Sequence, residues 1–543
     1  MDSPIDKTIY LTEVLQQIPR LLAQLDRNKM SKTYGCFDRN YWHYKIVDFP
    51  SARMQEAALT LALLYTIDSR DNPYYQNKKI LEWIKAALLF WGKIQEKNGS
   101  FNEWWPHENS YVATAFSSYA VSETLLLLKE QLTIIPQITQ QLVKAADFLS
   151  KSQEALVQNQ ECGAVIAIYN TFLLTGNEKY KNIAAAKVQS ILSFFSEEGW
   201  LVEYGGPDVG YLSLAFDYLA KYYQKTQDKE LLEKLKNATQ FLQYFLHPNF
   251  THGGEYASRN TEYLIPSGFE LLVAEIPECA LLACFARETM EKRNAITPFA
   301  LDDRYLCQIL YNWLEAYMKG QKKLSCKKDY PFKNTFEQQF PEAGIFIKST
   351  PTYYFITNYK KGGSFKLIEK SNGTVTYDSG ILLTCGNKTY ETNCINEDIH
   401  FEFTEHQLTI KGSFFKIDQK LQKAFTTIAL RFYSVIFGRF ERISRFIKNV
   451  LRRVLITGSN KSKHNLFTRT FVFKETEVVV SDAITTKKKM QEVILGAKFS
   501  FNYIPSSRYF QTSELESPSQ SFDLSQAEKK KEFHHKRSFM FKE

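Results

Sequence analysis

The stretch Glu198–Tyr223, EGWLVEYGGPDVGYLSLAFDYLAKYY, sets two kinds of text side by side. A loop with four glycines and Pro207 runs into Leu212, Ala215, Phe216, Leu219 and Tyr223, which repeat at helical spacing. Tyr211 falls in the first turn of that helix. Either the loop is a tight corner and the ring is core, or the loop presents the phenol to a pocket. The same alternation recurs along the first 325 residues. Helical runs AALTLALLYTI (57–67), ATAFSSYAVSETLLLL (113–128), GAVIAIYNTFLLTG (163–176) and LLEKLKNATQFLQYF (231–245) are parted by NGSFNEWWPHENS (98–110), EEGWLVEYGGPDVG (197–210) and HPNFTHGGEYASRN (247–260). The loose repeat of roughly 50 residues fits a helical hairpin with its loops. Hairpins that bury one face against the next predict an α/α toroid over 1–325, with a linear helical solenoid as the competing architecture.

From 326 the texture changes. GIFIKSTPTYYFITNY (344–359), GSFKLIEKSNGTVTYDSGILLTC (363–385), FEFTEHQLTIKGSFFKI (401–417) and LFTRTFVFKETEVVVSDAI (466–484) alternate apolar and polar residues and carry Asn-Gly and Asp-Ser-Gly turns. An antiparallel β-sandwich is expected over 326–510. The segment 511–543 is polar and is expected to be a poorly ordered tail. One insertion, FTTIALRFYSVIFGRFERISRFIKNVLRRVLITG (425–458), reads as a basic amphipathic helix. Its apolar stripe is flanked by Arg439, Arg442, Arg445, Lys448, Arg452 and Arg453, a pattern suited to an anionic membrane surface or to packing on its own domain with a solvated basic face.

A chain of 543 residues exceeds one ordinary core, so two domains are expected. Hydrophobic residues make up 44% and aromatics 15%, which suits a globular protein. The net charge of +9 permits an acidic substrate or membrane without requiring either. Eight cysteines without a CxxC pair give no metal-site spacing and favour a reduced compartment. The first residues are acidic where a signal peptide is basic, and no run reaches about 18 apolar residues. A cytosolic protein, peripheral at the inner face of a membrane, is the expectation. Phosphate loops, GxSxG and HExxH are absent, and no nucleic-acid fold is recognisable.

Three pieces in this order, NQECGAVIAIYNTFLLTG, EGWLVEYGGPDVGYLSL and GGSFKLIEKSNGTVTYDSG, resemble the heparinase II/III-like polysaccharide lyases over most of residues 30–500. The resemblance implies a toroid followed by a β-sandwich, and β-elimination on a uronate-containing polysaccharide without a soluble cofactor. It places Asn159 and Gln160 where the family's Asn-His pair neutralises the uronate carboxylate; glutamine donates a hydrogen bond but carries no charge. It makes Tyr211 the residue that takes the C5 proton, returns one to the leaving oxygen, or does both. A free tyrosine titrates at about 10, so such a base needs donor or cationic neighbours. The family's sandwich histidine is missing: Tyr359 and Lys361 stand near its place, which removes the expected metal-ligand character. Tyr359 is then a candidate second acid–base group and Lys361 a candidate anion contact.

Further candidates come from the loops. Glu203, His252, Glu255 and Arg259 are expected to line the cleft, with Arg259 able to grip a carboxylate through two N–H groups. Trp104 and Trp105 are expected to stack on sugar rings or to fill the toroid. A different class of reading is a catalytically altered, membrane-peripheral protein that binds a glycan during surface polysaccharide assembly. A toroid hydrolase would instead need paired acids such as Glu203 and Asp208.

Overall fold

The computed structural model describes residues 5–324, 327–417, 421, 423–438, 440, 460–501, 509–515, 519–526 and 530–542. Helices from Thr8–Gln24 to Tyr311–Lys319 build the first part. Ala57–Thr66 packs on Tyr111–Leu127, that on Gln158–Thr175, then Val209–Thr226, Ser267–Leu272 and Tyr311–Lys319, which returns to Ala57–Thr66. The closed ring decides for the toroid against the linear solenoid. Its inner helices are buried on nearly every side, as Ala57–Leu64 are throughout. The outer helices are amphipathic: Lys229–Leu242 buries Leu231, Leu235, Ala238, Phe241 and Leu242 and leaves lysines outside.

The β region holds two antiparallel sheets. The five-stranded sheet is a meander of Phe336–Phe340, Ile345–Ser349, Tyr353–Asn358, Ser364–Glu369 and Val375–Asp378. The nine-stranded sheet includes Leu382–Cys385, Gln407–Ile417, Asn460–Phe473, Glu477–Thr485 and Met490–Leu495. Strand Tyr353–Asn358 shows why the smaller sheet is buried on both faces. Tyr353 and Phe355 join the core between the sheets, whereas Tyr354 and Ile356 join the toroid core. Side chains on opposite faces of one strand thus bind the two domains together.

The segment 511–543 departs from the expected disordered tail. Gln520–Asp523 pairs with Met490–Leu495, and Glu532–Met540 pairs with Glu477–Thr485. In EFHHKRSFM, Phe533 and Arg537 face inward, and Arg537 reaches Asp378 at 2.7 Å and Asp482 at 3.0 Å. A period of two was present, carried by an arginine that the composition counted as solvent-facing. Of the 425–458 insertion, the described helix is Ala424–Ile436. Arg439, Arg442, Arg445, Lys448, Arg452 and Arg453 lie outside the described residues. Among the described residues six cysteines are free and buried, and Cys284 is disulfide-bonded.

Candidate functional site

Asp208 explains why Tyr211 stands in the first turn of the helix Val209–Thr226. Its carboxylate caps the helix by accepting from the Tyr211 N–H at 3.1 Å. The same side chain accepts from the backbone of Arg259 at 3.0 Å and from the Thr261 hydroxyl. Gly210 lets the two loops touch, since a Cβ there would sit 2.4 Å from Thr261 Oγ1. The glycine-rich loop is therefore stitched to the 258–265 loop, and the tyrosine is held part-exposed with its ring edge-on to Tyr263 at 6.3 Å.

Asn159 belongs to the same assembly. Its backbone N–H and its side-chain amide both donate to Glu203, at 2.8 and 2.9 Å. Glu203 is fully buried, and burial raises its carboxyl well above the usual range. It stands behind Asn159 as an anchor, not on a cleft wall. The Ser258 hydroxyl donates to the Glu203 carbonyl at 2.7 Å, while the Ser258 N–H donates to that of Pro207 at 2.8 Å. Asn159, Glu203, Asp208 and Tyr211 are thus one hydrogen-bonded unit. Gln160 sits beside Asn159, 8% exposed, with no side-chain hydrogen bond among the described residues. Glu203→Ala strands two donors, so urea melts should show a loss of about 1–3 kcal/mol.

Arg259 is buried against Tyr204, its guanidinium carbon 4.3 Å from the ring centroid. Burial lowers its pKa, and the Tyr204 and Tyr211 phenols, the Cys394 thiol and Asp208 oppose that. Sequence reasoning missed Tyr204. The available signal was its place before Gly205-Gly206: it holds φ +55°, uncommon for a bulky residue.

Other candidates lie apart from this unit. Lys361 is fully buried and donates to the carbonyls of Glu255 and Ala257 and to Asn260 Oδ1 at 2.6 Å. Burial, and then the charge of Arg259, lower it to about 7. It is a strut from the sandwich onto the 255–260 loop. Tyr359 lies in the sandwich core, its ring 4.3 Å from that of Phe401, and burial pushes it up to about 12. His252 is buried beside Phe285, and burial lowers it to about 3. Glu255 is buried near Lys366 at 3.6 Å. Of the tryptophans, Trp104 is 48% exposed under the Arg304 guanidinium at 4.3 Å, and Trp105 is half-buried. The next residue, Tyr305, meets Tyr509 edge-on, and the Tyr509 phenol lies within electrostatic reach of Tyr211. Among the described residues no group of three His, Cys, Asp or Glu side chains could hold a metal ion, and no helix is long and apolar enough to cross a membrane.

A closed ring of helical hairpins seated on a two-sheet β domain is the architecture of the toroid polysaccharide lyases. The Streptomyces coelicolor A3 chondroitin AC lyase, in complex with chondroitin sulphate, matches 90% of this chain and 68% of its own at 10% identity, with a TM-score of 0.51. A Paenibacillus xanthan lyase matches 98% of this chain at 8% identity and a TM-score of 0.50. This chain spans 57% of that enzyme's length. At such identities the likeness shows the fold alone. No protein-family model matches the sequence, and no curated protein does.

Proposed function

We propose that this protein cleaves a uronate-containing polysaccharide by β-elimination. The observation that carries the reading is the single unit joining Asn159 to Tyr211 through Glu203, Ser258 and Asp208, with Arg259 electrostatically coupled to the phenol. Elimination needs the uronate carboxylate neutralised, because only then does the C5 proton become acidic. Asn159, Gln160 and Arg259 supply donors and charge for that purpose, and the N-termini of Gln158–Thr175 and Val209–Thr226 add favourable partial charge.

Tyr211, as phenolate, takes the C5 proton, and Arg259 is a cation within electrostatic reach of its oxygen. The C5–H electrons become the C4–C5 double bond, the C4–O bond breaks, and the phenol returns its proton to the leaving oxygen. One neighbour of like fold is bound to chondroitin sulphate and another is a xanthan lyase, which supports an acidic polymer here. A panel of uronate polymers, read by the ultraviolet absorbance of an unsaturated uronyl product, tests the reading. Saturated reducing ends, or no product from any polymer, would overturn it.

A second reading, a membrane-peripheral glycan-binding protein at the inner membrane face, draws on the helix Ala424–Ile436. Phe425, Ile428, Phe432, Val435 and Ile436 form an exposed stripe, Phe425 being 80% exposed, and the sequence that follows is basic. Arg431 ties the helix to Asp48 at 3.0 Å, leaving the stripe outward. Flotation with anionic vesicles should carry the protein upward, and charge reversal at Arg442, Arg445, Arg452 and Arg453 should release it. Unchanged flotation of that variant would refute the electrostatic contribution.

A further inference from the structure

Where the toroid and the smaller sheet meet, a groove of about 810 Å³ opens. The toroid contributes residues 248–251 and 292–300, and the β region contributes 370–373 and 510–513. The walls touch at the floor, where a Cβ on Gly373 would stand 3.3 Å from Asn249 Cβ. Lys292, Arg293 and Lys370 line the groove, and no carboxylate does. Arg293 is already paired with Glu13 at 2.8 Å. Lys292 lies 4.1 Å from the Phe250 ring centroid, and Lys370, lowered to about 8 by burial, donates to Ser349 Oγ at 2.9 Å and to the Thr350 carbonyl. Neither lysine has a carboxylate partner among the described residues. Charge selection here is for an anion.

The remaining lining suits a sugar. Phe299 and Phe510 are exposed apolar platforms. Asn249 Oδ1 accepts from Thr251 and Asn372 is spent on Glu369 and the Thr374 N–H, which leaves the Asn249 amide N–H groups and the Asn294 amide oxygen for hydroxyl groups. Gln511 is 5% exposed, and neither amide atom has a hydrogen-bond partner. Buried amides are normally satisfied, so an unpartnered one in the groove wall is the candidate contact for a ligand hydroxyl.

We propose that this groove is a binding site for an anionic oligosaccharide, separate from the Tyr211 unit. Phe510 follows Tyr509, whose phenol lies within electrostatic reach of Tyr211, so one acidic polymer could engage both places. The proposal concerns binding and does not depend on turnover at Tyr211.

Hydrogen exchange on the full chain carrying Tyr211→Phe, with sulphated and unsulphated uronate hexasaccharides as probes, tests it. Protection is expected in 248–251, 292–300, 370–373 and 510–513. Lys292→Glu combined with Phe510→Ala should weaken the titrated protection about tenfold or more without shifting the melting temperature, since both side chains are exposed. Gln511→Leu keeps the bulk, removes the unpartnered amide, and should also weaken it. Failure of all the hexasaccharides to protect these four segments overturns the proposal, whether or not 203–211 responds. So does equal protection by sodium sulphate alone, or protection that persists unchanged in the variants.

Discussion

Tyr211→Phe is expected to lower kcat by about 10²- to 10⁴-fold on the polymer that yields the unsaturated product, the range associated with a positioned acid–base group. KM should change little. The substitution removes one oxygen and leaves the ring, so the edge-on contact with Tyr263 and the Asp208 cap on the backbone N–H both persist. A merely structural tyrosine would show the opposite, with a lower melting temperature and near-normal turnover. Tyr359→Phe is the control, because its ring packs among Phe401 and Phe403 inside the sandwich core. Equal losses for the two variants, or full activity in Tyr211→Phe, would sink the proposed role.

The toroid was legible because its inner helices must be apolar all round and its outer ones amphipathic, which writes two patterns into one repeat. The sandwich was legible from period-two alternation. The strand Glu532–Met540 was not, since Arg537 occupies an inward position only by virtue of Asp378 and Asp482, residues far away in sequence. The site divides in the same way. Tyr211 and Asn159 stand at helix starts, where local pattern locates them. Whether Glu203, Lys361 and Glu255 face a cleft or a partner depends on loop contacts that no periodicity encodes, and all three are buried. Tyr204 was overlooked because its place before Gly205-Gly206 marks a turn but not the distant Arg259 that its ring meets.

Lys366→Met is expected to destabilise the protein by about 3–5 kcal/mol, the usual result of breaking a buried ion cluster by deleting one member. Lys366 is fully buried on strand Ser364–Glu369, donates to the Gly253 carbonyl at 2.9 Å, and faces Glu262 at 3.4 Å and Glu255 at 3.6 Å. Lys498, shared between Glu262 at 3.7 Å and Glu514 at 2.8 Å, would be left as the neighbouring cation. Burial already raises the Glu255 carboxyl, and the Lys366 charge opposes that rise. Without Lys366 the folded-state value climbs further above the unfolded one, so the folded chain holds the extra proton over a wider range. Stability then falls as pH rises through that range, and urea melts should show a greater loss at pH 8 than at pH 5. Adding Glu255→Gln should restore much of the difference. The 252–263 loop that this lysine grips also presents Arg259 and Thr261 to Asp208, so turnover should fall along with stability. A loss independent of pH, or none at all, would mean that the lysine acts only through its aliphatic bulk.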